Sequence, residues 1–149
     1  MLDKIKYNGF EVSSSQFIEH KDSDGGRYKV SINECEFSSD YDEESGKAWA
    51  QMCIEASVKG YEEGALDNPD EPNEDGLAFE VNLKFYIFFD INGNEPLTEE
   101  SFEENAWFFE NFMAITLKLA IESVLVHTPM DSIRIPWSVP TESFKIKDN

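Results

Sequence analysis

The sequence predicts an α+β fold: a four-stranded antiparallel sheet arranged as a meander, with one long C-terminal helix packed on it and a proline-rich tail behind. Three observations lead there. From Leu77 to Ile91 every odd position is apolar (Leu77, Phe79, Val81, Leu83, Phe85, Ile87, Phe89, Ile91), an alternation expected of a strand with one face on a core. From Glu99 to about His127 the run FEENAWFFENFMAITLKLAIESVLV contains neither glycine nor proline and fits a helix. The 149 residues suit one domain, 1–149, with a modest core.

The other strands are shorter signals of the same kind. Ile5 and Tyr7 then Phe10 and Val12 form a first strand whose phase slips at Gly9. Tyr28, Val30 and Ile32 begin a second, slipping near Asn33 before Cys35 and Phe37, as a bulge would cause. Ala50, Met52, Ile54, Ala56 and Val58 make a third. On Leu77–Ile91 the even face starts polar (Glu80, Asn82, Lys84) and ends with Tyr86 and Phe88, an apolar patch in want of a cover. The connections HKDSDGG, SSDYDEESG and YEEGALDNPDEPNEDG are acidic and rich in turn residues. The last is expected to be a solvated, mobile loop.

The stretch DINGNEPLTEESF (Asp90–Phe102) nearly spells a calcium loop. It lacks the sixth-position glycine and the twelfth-position glutamate of an EF-hand, holding Glu95 and Ser101 there instead. A strand-to-helix junction uses the same letters. Asn92-Gly93 turns the chain, Thr98 caps the helix, Glu99 and Glu100 face its dipole, and Leu97 with Phe102 has the spacing of a hydrophobic staple.

The helix carries more apolar surface than one sheet face covers. Its polar residues Glu104, Asn111, Lys118 and Glu122 make one narrow stripe, whereas a helix on a sheet needs an apolar stripe of only about 100°. The excess assigns Phe112, Ile115, Leu119, Ile121 and Leu125 to a subunit interface in a homodimer or tetramer. Beyond the helix, TPMDSIRIPWSVPTESF is expected to run extended over the body.

A net charge of −19 opposes binding to nucleic acid or an anionic membrane. With 40% hydrophobic and 13% aromatic residues, the chain is globular rather than disordered. The absence of a leader, and only Cys35 and Cys53, imply a cytoplasmic protein with free thiols; whether the two face each other on neighbouring strands stays open. No enzyme is expected. The only imidazoles are His20, in a charged turn, and His127, at a helix end, and neither has the company a nucleophile requires. No zinc motif or phosphate loop is present, so no metal and no cofactor are expected.

In this order of elements the chain resembles the SecB family of export chaperones. The likeness lies in YNGFEVSSSQFIEH as first strand, in LAFEVNLKFYIFFDI leading into NGNEPLTEE, and in FFENFMAITLKLAIESVLVHTPMDSIRIPWSVP as helix and prolines. It implies an ATP-independent holdase that binds non-native polypeptides, or one dedicated partner protein, through apolar surfaces, with a possible place in protein transport. The family's paired prolines are single here (Pro129, Pro136, Pro140) and no cysteine-bearing zinc tail exists, which leaves delivery to an export motor unsupported. Candidate client or partner residues are Tyr86, Phe88, Trp107, Phe108, Ile133, Ile135 and Trp137. The alternatives are an acidic decoy that mimics nucleic acid, as a mobile element would carry, and a SecB-fold domain of unrelated binding function.

Overall fold

The structure is a computed structural model and describes residues 2–22 and 25–135. Four long strands, β1 (Ile5–Glu19), β2 (Gly26–Asp42), β3 (Lys47–Glu62) and β4 (Leu77–Ile91), form one antiparallel sheet, followed by α1 (Glu99–Glu104) and α2 (Ala106–Leu125). β2, β3 and β4 are a meander of consecutive hairpins, while β1 lies beside β4, giving the order β1-β4-β3-β2. From β1 to β2 the chain therefore crosses the end of the sheet. The two edges are three strand spacings, about 14 Å, apart, and His20 and Lys21, just beyond β1, both donate their amides to the Ala78 carbonyl.

Alternation decides which face of each strand is buried. Val81, Leu83, Phe85, Ile87 and Phe89 of β4 and Met52, Ile54 and Val58 of β3 enter the core, where they meet Phe109, Met113, Leu117, Ala120 and Ile121 of α2. Register shifts fall between Tyr7 and Phe10 and between Ile32 and Glu34, at Gly9 and Asn33 where the phase slips. A further one at Ser13 leaves no mark in the sequence, because in Ser13-Ser14-Ser15 there is no apolar phase to interrupt.

Two expectations need correction. The helical run breaks at Asn105 (φ −115°, ψ 27°), whose side-chain amide donates to the Ser101 carbonyl. The break lets Phe102 stack on Phe37, with ring centres 4.0 Å apart, while Phe109 packs against both. The acidic β3–β4 connection is held to the body, since Ala65 and Leu66 are buried against Tyr61, and the Asn73 amide and the Lys29 ammonium close it by bonding the carbonyls of Ala65 and Pro69.

The Asp90–Phe102 stretch is a junction. Gly93 takes φ +141°, which only glycine adopts freely, and Thr98 accepts the Ser101 amide at 3.1 Å. Among the described residues no group of three His, Cys, Asp or Glu is placed to hold a metal ion. No helix among them is long and apolar enough to cross a membrane.

Candidate functional site

Where β2 begins, β3 ends and β4 begins, the segment after α2 folds back and leaves a cavity of about 490 Å³. Its walls are Arg27 and Tyr28 of β2, Gly60 and Tyr61 of β3, Ala78 and Phe79 of β4, and Pro129, Met130 and Ile133 from the returning segment. Phe79 can lie across the floor because position 60 is glycine: a Cβ there would occupy the space of its ring. The volume is that of a ligand pocket, and aromatic rings with a thioether suit a bulky apolar guest. Arg27 and Asp22 add charged groups to the lining.

The sequence-based candidates do not meet in one place. Ile133 lines this cavity and is half-buried, but Ile135 is in the core, so it offers no surface to a client. Trp137 lies outside the described residues. Tyr86 and Phe88 are half-buried on the opposite face of the sheet, with nearly parallel rings 6.3 Å apart. Phe108 is turned toward Phe89, Phe109 and Phe112 and helps complete the core. Trp107 is 58% exposed, at the start of α2; the 20 residues of that helix put it roughly 30 Å from the cavity end.

The expected interface residues also divide. Ile121 and Leu125 are core residues and cannot line a surface. Phe112 is half-buried, stacking on Tyr7 at 5.0 Å. Ile115 (41% exposed) and Leu119 (43%) remain outside with Trp107 and Val126 (57%), a mostly apolar band over about 120° of the helix circumference that the exposed Asn111 interrupts between Trp107 and Ile115. The expected polar stripe is only half solvated: Glu104 and Asn111 are exposed, but Lys118 is buried. The helix face was misjudged because residues 126–135 return over it and Ile135 enters the same core.

Sequence reasoning missed Tyr28, Phe79 and Met130 as site residues. Tyr28 and Phe79 read as ordinary positions of their strands and Met130 as part of a tail, and only the return of the chain after α2 brings the three together.

A 1-4-3-2 antiparallel sheet backed by a long helix on one face is a SecB-like fold. Among solved structures, the chain is similar to the SecB-like chaperone of Mycobacterium tuberculosis in complex with a ChAD peptide from the HigA1 antitoxin, with a TM-score of 0.59 over 91% of each chain and 12% identity. At that identity the likeness is one of fold. No protein-family model matches the sequence, and no curated protein does.

Proposed function

We propose that this protein is a chaperone-type polypeptide-binding protein without catalytic activity, acting on non-native chains or on one dedicated partner. The observation that carries this is the cavity between Tyr28, Phe79, Met130 and Ile133, found in a SecB-like fold whose similar solved example is a chaperone holding a peptide. A bulky apolar side chain of an extended segment fills the cavity, which excludes water from it and contributes about 1.5–3 kcal/mol. The flanking backbone stays near the surface. Carboxylates elsewhere on the chain keep the loaded protein dispersed through mutual repulsion.

The apolar band of α2 supports self-association. Trp107, Ile115, Leu119 and Val126 are exposed along α2 and its C-cap among the described residues, and a twofold axis would let each band cover the other.

The test is light scattering from a chemically unfolded, aggregation-prone protein diluted into buffer without nucleotide. The wild type at equimolar amounts should suppress aggregation, and Met130→Asp, which puts a charge on the cavity wall, should not. Undiminished aggregation with excess wild type, and no single protein retained from a cell extract by immobilised wild type, would exclude the reading.

A further inference from the structure

The segment that walls the cavity is tied down by a charged network that the sequence pattern disguises as solvated helix surface. Lys118 is only 9% exposed. Its Nζ donates to the Ile135 carbonyl at 2.7 Å and lies 2.8 Å from Glu122 Oε2. Glu122 Oε1 faces Arg134 Nε at 3.7 Å. Arg134 in turn donates Nη1 to the carbonyls of Asp131 (2.7 Å) and Ile133 (3.1 Å), and its own carbonyl accepts the Tyr28 hydroxyl at 2.8 Å. The returning chain is thus fastened to α2, to β2 and to itself.

A buried ammonium loses hydration, and an apolar side chain of similar volume often serves stability equally well. At position 118 an apolar residue would suit the neighbouring core. It could not, however, set the position of a main-chain carbonyl, which is what the lysine does to Ile135. That carbonyl belongs to the same short segment as Met130 and Ile133, while Tyr28, which holds the adjacent Arg134 carbonyl, lines the facing wall.

We propose that Lys118 is a positioning residue for the cavity: together with Glu122 it holds the returning segment at the separation from Tyr28 and Phe79 that admits one aromatic side chain of a bound polypeptide and favours it over a small one. The inference rests on the polypeptide-binding reading above. With the latch undone, the wall is free to shift, and the site loses discrimination before it loses its apolar lining.

The experiment titrates two short fluorescent peptides, identical except for a central tryptophan or alanine, into wild type, Lys118→Met and Lys118→Arg. Hydrogen exchange is followed in parallel on the peptide-free proteins. Wild type should prefer the tryptophan peptide. Lys118→Met should bind it about tenfold more weakly, as loss of one well-placed interaction implies, with most of the preference gone. Lys118→Arg, which can still donate to the carbonyl and pair with Glu122, should restore it. Amides 130–135 should exchange faster in Lys118→Met while those of β3 and β4 are unchanged. An unaltered preference in Lys118→Met, or unaltered exchange at 130–135, overturns the proposal and leaves polypeptide binding standing. If wild type binds neither peptide, both fall together.

Discussion

Cys35 and Cys53 lie on paired strands one register step apart, Cys35 opposite Ile54 and Cys53 opposite Glu36. That step puts them on opposite faces. Cys35 is fully buried and its thiol is pushed up to about 12, first by loss of hydration and then by the Cys53 and Glu36 charges nearby. In the native protein at pH 8 iodoacetamide should therefore alkylate Cys53, which is half-buried on the outer face, and leave Cys35 intact; mass spectrometry of the digest reads this directly. The raised value also has a consequence for stability. Below about pH 9 both folded and unfolded thiols are protonated and the contribution is fully present. As pH rises from about 9 to 12 only the unfolded thiol ionises, so stability falls, by up to about 4 kcal/mol over that window. Urea unfolding of Cys35→Ala should show a shallower alkaline decline than wild type, and parallel declines would contradict this.

At the level of elements, what could be read from the sequence was what repeats within one segment. Leu77–Ile91 is a strand with the expected bounds, and Gly9 and Asn33 mark bulges because an apolar phase slips there. The start of α1 was legible from capping chemistry: Thr98→Ala should cost about 1 kcal/mol, measured as a lower urea midpoint with unchanged slope. The helix break at Asn105 was hidden because its cause is not local; it places Phe102 on Phe37, a residue of β2. Lys118 was hidden for the same reason. A lysine among apolar residues reads as a solvated edge until the Ile135 carbonyl and Glu122 are found beside it. The cavity is the extreme case, assembled from the ends of β2, β3 and β4 and closed only when residues 129–133 return to them.

For the whole molecule, the 1-4-3-2 order leaves β1 and β2 as the edges. β2 carries Glu34, Glu36, Asp40 and Asp42, which guard an edge against pairing, whereas β1 from Val12 to Ile18 carries no charge. β1 is instead interrupted by the shifts at Gly9 and Ser13, which also discourage edge pairing, so it is the helix band left exposed among the described residues that favours a second copy. Ile115→Glu places a charge in the exposed band and should lower the sedimentation coefficient without changing the unfolding midpoint expected of the separated chain. Ile121→Glu places it in the core and should unfold the protein instead, since an unpaired buried charge is severely destabilising. A wild type that sediments as a monomer at micromolar concentrations would leave the band to polypeptide clients alone.

The account turns on whether a polypeptide enters the cavity at the end of the sheet, and methionine methyl resonances report this directly. Met130 lines the cavity, while Met52 and Met113 are buried in the core away from its lining. On titration with the tryptophan peptide, the Met130 methyl and the Tyr28 and Phe79 ring signals should shift saturably, with Met52 and Met113 nearly still. Saturable shifts confined to Tyr86 and Phe88 on the opposite face, or no saturable shift at all, would contradict it.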